Sequence, residues 1–525
     1  MAAVDTNLTE IRQADLPATA NGLGVNGANL INHRTLGISE ITRFSQESTT
    51  GAPPRISNLR QNQRTKVLSV TSGVGYSNPL TIDTVDSILQ ELFFAQIRNR
   101  EGWRVPVSSV DATDGYTIAA ASAEQAALFG VNSLVWGRDF GQSANNGLHM
   151  VTSAVSENDT EVEADALADE AANTGQNPPP VGHISFTGSR ILGPTTKSWA
   201  YDSTNERATL TLANANNLPG LYEGQMVVIG SIDSAGAPTN QNAFAGAAGA
   251  SIFGRARVRS IGTGSITFDR LSANLEASSS GTQGVIDLCY SLFVTNVAND
   301  SPLTVRGTRT YEQTLPDFSA VGTPAYRYSD GNLINTATLN MPSAQFATVN
   351  VETIGTQTLI PVTTRRDNFD GAPDPALVDS FTGGGDLVRI TFEGDTQGYE
   401  IDVFDMTWTL SNNLTGTNAL THLGAFRVNT GNFTAQITAT ATLSDLALEA
   451  VMQNNLPISV TPVFTNTDGV IIPHIPSMTI ARTGETYTAN ELIRLESTAT
   501  AFQDPTFNTS CSFSILPIPF VRAQI

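Results

Sequence analysis

Charge is scarce in this 525-residue chain: Asp, Glu, Lys and Arg together make up 15% of it, against about 25% in an average soluble protein. What charge there is leans acidic, 49 acidic against 28 basic residues, a net −21. So few Lys and Arg exclude a protein that grips nucleic acid by neutralising phosphates. They do not exclude one past which nucleic acid slides, and the negative balance also serves solubility. Cysteine is almost missing. Cys289 and Cys511 lie far apart without metal-type spacing, so no disulfide framework organises the fold. No apolar run approaches the ~18 residues of a membrane helix. The opening MAAVDTNLTEIRQAD has neither a basic segment nor an apolar run, so the expectation is a soluble protein made in a cytoplasm without a secretory signal. The five histidines pair with nothing at helical spacing, which rules out a zinc motif. Neither a GxSxG elbow nor a P-loop is present. The reading is therefore a non-enzyme with no catalytic, cofactor-binding or metal-binding residue and no cofactor.

Thr, Ser, Asn, Gly and Ala fill the place of the missing charge. That composition favours strands and polar loops over surface helices, and the 40% hydrophobic share supplies a core. Low charge also suits a subunit that buries surface in an assembly. The clearest local pattern is Phe433 to Asn454, FTAQITATATLSDLALEAVMQN. Phe433, Ala435, Ile437, Ala439, Ala441 and Leu443 alternate with Thr434, Gln436, Thr438, Thr440 and Thr442, the period of a half-buried strand. Ser444 and Asp445 then suit a helix N-terminus, and Pro457 lies beyond the helix end.

In chain order, residues 1–60 form a polar arm. Its Gly22–Gly27 segment is formally a GxGxxG, but no strand precedes it and no helix follows, so it reads as a loop. Strand material at Lys66–Thr71 and Leu80–Ile82 leads into a helix capped by Asp83 and running through Ile97, with Val85, Ile88, Leu89, Leu92 and Phe93 on one face. Ser122 and Gln125 have the spacing of a capping box for a helix at Ala123–Phe129. Seven acidic residues between Glu157 and Glu170 read as a solvated excursion ahead of Pro178–Pro180. Residues 199–293 read as a separate small β unit of short strands. Ala347, Val349 and Val351 alternate with Thr348, Asn350 and Glu352, while Asp367–Gly371 fails the calcium-loop alternation. Glu400 and Asp402 share one face of a further strand. Beyond residue 387 the chain is nearly all strand. The turn at Asn466–Gly469 marks a hairpin, and Pro462, Pro473 and Pro476 mark edge or interrupted strands.

The strand-to-helix pattern occurs twice, in TSGVGYSNPLTIDTVDSILQELFF (71–94) and NTGNFTAQITATATLSDLALEAVMQ (429–453). A second pairing sets residues 332–355 beside 405–440. These segments, with the stretch 405–464, resemble the major tail tube proteins of long, non-contractile-tailed bacteriophages (siphophages). In that family a GxFxxxxxxxAxxxD strand enters a short helix, as Gly431 to Asp445 does here. The resemblance covers about 56–100 and 330–525. It implies a mainly β fold of tail-tube-type β-sandwich modules with flanking short helices. Two modules are expected, the first over 61–198 and 294–363, the second over 387–525. A small β-barrel-like domain at 199–293 is inserted, and a loop spans 364–386. It further implies a virion tail component assembled in a host cytoplasm: stacked rings around a channel that conducts DNA. The implied partners are other copies of itself (homotrimeric pseudo-hexameric rings, with a hexamer as the alternative), tail terminator and tail-tip proteins, and a tape measure protein in the lumen. Phage DNA passes transiently, without specific binding. The candidate lumen-facing residues are Thr434, Gln436, Thr438, Thr440, Thr348, Asn350, Glu352, Glu400 and Asp402. The competing reading is a tail-tip or adhesion module that binds a host surface glycan.

Overall fold

The computed structural model describes residues 10–16, 31–52, 65–171, 182–192, 197–212, 218–235, 237, 253–272, 275–276, 279–281, 285–298, 301–305, 307–320, 323–366, 378–393, 398–399, 402–418, 420, 424–442, 446–486 and 494–520. The protein is mainly β, with several antiparallel sheets. It divides into two compact units, Met1–Gln96 with Asn296–Ser380 and Phe404–Ala439, and Ile97–Thr295 with Phe381–Val403 and Thr440–Ile525. The Gly22–Gly27 loop, Pro178–Pro180, Asp367–Gly371, Glu400 and the Ser444–Asp445 cap lie outside the described residues.

In the first unit the strands Glu40–Gly51, Lys66–Pro79, Thr348–Ile354, Thr323–Pro342 and Val403–Ser411 pair in that order, all antiparallel. Thr323–Pro342 serves two sets of neighbours. Its first half pairs with Thr308–Ala320, which in turn pairs with Glu10–Leu16; its second half pairs with Thr348–Ile354 and Val403–Ser411. The change of partner falls beside Gly331, whose φ of 66° lies where glycine is the residue without a Cβ penalty. Helix α1 (Ile82–Phe93) packs against this long strand. Its apolar stripe Val85, Ile88, Leu89 and Leu92 is buried. The helix cap differs from expectation. Leu80 and Ile82 are not strand, the cap is Thr81, whose hydroxyl accepts from the Thr84 amide at 3.0 Å, and Asp83 sits in the first turn. The helix also stops at Phe93, short of Ile97, because Phe94 takes a left-handed φ of 48° and its N–H returns to Gln90 and Glu91. That is the usual way to satisfy the last carbonyls of a helix. Under α1, buried Glu91 forms an ion pair with buried Arg309.

The second unit contains one long antiparallel sheet and one shorter set. The long sheet runs Ser279–Gly281, Lys197–Asp202, Arg207–Thr211, Ser265–Asp269, Gly254–Ile261, Met226–Gly230, Ile286–Cys289, Gly182–Ile191, Val105–Asp111, Gly115–Ile118, Glu161–Val162. Ser133–Arg138 also pairs with Gly182–Ile191. The expected separation of 199–293 from 61–198 is thereby corrected: Ile286–Cys289 hydrogen-bonds directly to Gly182–Ile191, and one core runs from Val107 through Ile184 to Leu210 and Phe268. Gly188 sits at this seam with φ 123°, and a Cβ there would meet the Leu288 carbonyl oxygen at 2.0 Å. The shorter set is Leu292–Thr295, Ser512–Leu516, Gly469–Thr486, Ile458–Asn466 and Leu387–Glu393, with Arg494–Ala501 also on Gly469–Thr486. It faces the long sheet through a cluster that joins Leu134, Trp136, Met226 and Val228 to Val463, Val470, Ile472 and Leu516. Helix α2 (Ala123–Leu128) carries the anticipated capping box between Ser122 and Gln125. Helix α3 (Leu446–Gln453) follows the Thr434–Thr442 strand.

Two further expectations are sharpened. Of the two readings for the proline-bearing strands, edge or interrupted, Ile458–Asn466 takes the second: it has a partner on each side, and its pairing with Gly469–Thr486 skips from Val460 to Phe464. The acidic block is not an excursion. Glu161–Val162 pairs with Gly115–Ile118. Asp165 accepts from the Met150 amide (2.7 Å), Asp169 from Ala112 (2.8 Å), and Glu170 from Gly141 (2.8 Å) and Gln142 (3.1 Å). These carboxylates satisfy main-chain donors that pairing between strands leaves over.

Candidate functional site

The first unit presents a polar sheet face built by strand alternation. Along Thr348–Ile354, Val349, Val351 and Thr353 are buried, while Thr348, Asn350 and Glu352 point the other way. Register then aligns like with like. One row across four strands is Ser77, Asn350, Thr338, Thr409; the next is Pro79, Thr348, Asn340, Thr407; the third is Gly75, Glu352, Thr336, Ser411. Each of the side chains Thr336, Thr338, Asn340, Thr407, Thr409 and Ser411 is half-buried. Beneath them Ala337, Leu339, Met341, Met406, Trp408 and Leu410 are buried. The amide of Asn340 bridges its two neighbours, 3.5 Å to the Thr348 hydroxyl and 3.4 Å from that of Thr407. Thr42 donates to Glu352 at 3.3 Å. In these rows and their continuation at Asp405, which pairs with Pro342, the charged residues are Glu352 and Asp405, both acidic.

The Thr434–Thr442 strand repeats the pattern. Ala435, Ile437, Ala439 and Ala441 are buried, Thr434, Gln436 and Thr438 are exposed, and Thr440 is half-buried. The Asn413 side chain ties the strand's start, donating to the Asn432 carbonyl (2.8 Å) and the Thr434 hydroxyl (3.2 Å). Asp402 does not belong to the face of a strand. It precedes Val403–Ser411, is exposed, and its carbonyl accepts from the Thr442 amide at 2.9 Å. The expected site residues Thr348, Asn350 and Glu352 are thus brought together with Thr336, Thr338, Asn340, Thr407, Thr409 and Ser411, which the sequence reading passed over. Their signal was present: INTATLNM and DMTWTLSN alternate with the same period.

Among the described residues no group of three His, Cys, Asp or Glu side chains is placed to hold a metal ion. Burial raises both cysteine thiols, Cys289 and Cys511, away from the reactive thiolate. His149 is buried with Nδ1 2.8 Å from the Asp165 carbonyl, and burial lowers its pKa. His474 is buried between Arg257 and Thr461. No protein-family model and no curated protein matches the chain.

Proposed function

We propose that the chain is a structural subunit of a bacteriophage tail tube, forming stacked rings around a channel through which DNA leaves the capsid. The observation that carries this reading is the four-stranded polar face of the first unit. It is broad, regular, lined by Thr, Ser and Asn, and its charges, Glu352 and Asp405, are acidic. Among the described residues of those four-strand rows a phosphate polymer meets no cation to release counterions against, so such a face lets DNA pass without holding it. Sheet edges that would otherwise invite uncontrolled pairing are closed off when copies join into a ring. The internal sequence repeat favours three chains per ring over six.

Negative-stain imaging of the purified protein tests the reading. Rings or tubes with a central channel are expected, and mass photometry should give three chains per ring. A discrete monomer at all concentrations that hydrolyses a polysaccharide would overturn it.

A further inference from the structure

The second unit contains a pocket of about 910 Å³ in which charge, scarce elsewhere, is concentrated. Six of the chain's 28 basic residues gather in or behind it: Arg207, Arg255, Arg257, Arg259, Arg270 and Arg389. Alternation places Arg255, Arg257 and Arg259 on one face of the Gly254–Ile261 strand. Arg257 binds Asp269 through Nε (2.7 Å) and Nη2 (2.8 Å), and Arg259 reaches the same carboxylate at 3.0 Å. Arg255 and Arg270 approach Glu393, at 3.5 and 3.6 Å. The floor therefore sets four guanidiniums against two carboxylates. Arg255 is 1% exposed, and its Nε and Nη1 have no acceptor among the described residues. Guanidiniums do not shed their protons, so a buried surplus of this kind is costly until an anion offsets it. Arg207 and Arg389 add two further guanidiniums to the pocket wall and Asp402 and Asp504 two further carboxylates, so the excess of cations is confined to the floor.

The remainder of the wall is of a different character. Glu206 and Glu276 lie close enough that the charge of Glu276, after burial, raises the Glu206 pKa. Tyr201 and Phe502 line the same pocket. Carboxylates suit hydroxyl groups and aromatic rings suit the apolar face of a sugar. A volume of this size is within the usual range for small-molecule sites.

We infer that this pocket binds an anionic saccharide, its phosphate or comparable oxyanion on the arginine floor and its hydroxyls against Glu206 and Glu276. The inference does not rest on the tail-tube reading; it concerns a different face and a different ligand.

Isothermal titration of the full chain tests it, with inorganic phosphate, glucose 6-phosphate and glucose as probes at matched ionic strength. The expected order is glucose 6-phosphate tighter than phosphate, with glucose silent. The variant Arg259→Gln/Arg389→Gln should weaken both phosphate probes by about tenfold or more, since charge-assisted pairs are the strong contacts here. Glu206→Gln/Glu276→Gln should erase the preference for the sugar phosphate while leaving phosphate binding. Equal binding of phosphate and glucose 6-phosphate would overturn the saccharide assignment and leave a free oxyanion site. No heat from either phosphate probe, or binding unchanged in the arginine variant, would overturn the proposal entirely.

Discussion

The side chain of Arg257 donates from Nη1 to Nε2 of His474 across 2.9 Å, deep inside the second unit. Arginine has no acceptor to offer, so His474 Nε2 must be unprotonated. The ring proton then sits on Nδ1 and donates to the Thr461 hydroxyl 2.8 Å away. That bond spans the gap where Pro462 and Pro473 interrupt the strand ladder. His474 is therefore held neutral, first by burial and then by the charges of Arg257, Arg270 and Arg255, which together lower its pKa well below the usual value.

This neutral histidine makes stability depend on pH. An unfolded histidine binds a proton below about 6.5, whereas His474 in the folded chain does not until far lower pH. The unfolded state thus holds the extra proton in that window, and stability falls as pH falls, by about 1.4 kcal/mol per pH unit for one such group. The contribution is present in full above about pH 6.5. His149, lowered by burial, acts in the same direction. His474→Gln keeps an acceptor for Arg257 and a donor for Thr461 but cannot titrate. Denaturant unfolding between pH 5 and 8 should show the variant losing less stability on acidification than the parent chain. Parallel curves would show that His474 titrates alike in both states.

The Thr434–Thr442 strand separates structural from functional faces. Ile437 is 2% exposed while Thr438 is exposed. Ile437→Asp buries an unpaired carboxylate and should cost about 3–5 kcal/mol, enough to abolish soluble folded protein. Thr438→Ala should change stability by less than about 0.5 kcal/mol and leave ring formation intact. A soluble, ring-forming Ile437→Asp variant would reverse the assignment of faces.

Glu91 and Arg309 test the ion pair beneath α1. Both are buried, so removing one partner strands the other charge. Glu91→Gln or Arg309→Met alone should each cost about 3–5 kcal/mol, whereas Glu91→Leu/Arg309→Met should recover most of that loss. A thermal-denaturation double-mutant cycle measures the coupling. Additive losses would mean that the two charges do not depend on each other.

Alternation was the feature most readable from the sequence. Ala435, Ile437, Val349 and Val351 are buried where the period of two puts them, because a one-residue error would turn the whole set to solvent. The Ser122–Gln125 box was legible for a similar reason: both partners are local. What escaped was non-local. Nothing in KVLSVTSGVGYSNPLT says that Thr81 rather than Asp83 caps the helix, since both residue types qualify. The acidic block is solvated at Glu157, Asp159, Glu161, Glu163 and Asp169, as its charge suggests, but its acceptors also meet main-chain amides of Ala112, Gly141 and Met150, and amides leave no mark in a sequence. The arginine floor was invisible for want of periodicity between Gly254–Ile261 and the Glu393 and His474 that meet it.

The interleaving of the two units carries a consequence for synthesis. The first unit draws on Met1–Gln96, Asn296–Ser380 and Phe404–Ala439, and its Lys66–Pro79 strand pairs with Thr348–Ile354. As the chain emerges from the ribosome, Lys66–Pro79 must wait for about 270 further residues, by the register that pairs Pro79 with Thr348, before that edge is covered. Meanwhile most of the long sheet of the second unit, between Val105 and Cys289, is already available to form. Non-local pairing of this kind is slow and leaves strand edges open while it lasts. Truncated chains ending before residue 348 therefore retain an unpaired Lys66–Pro79 edge, and nascent-chain chaperones are the expected occupants of it during translation.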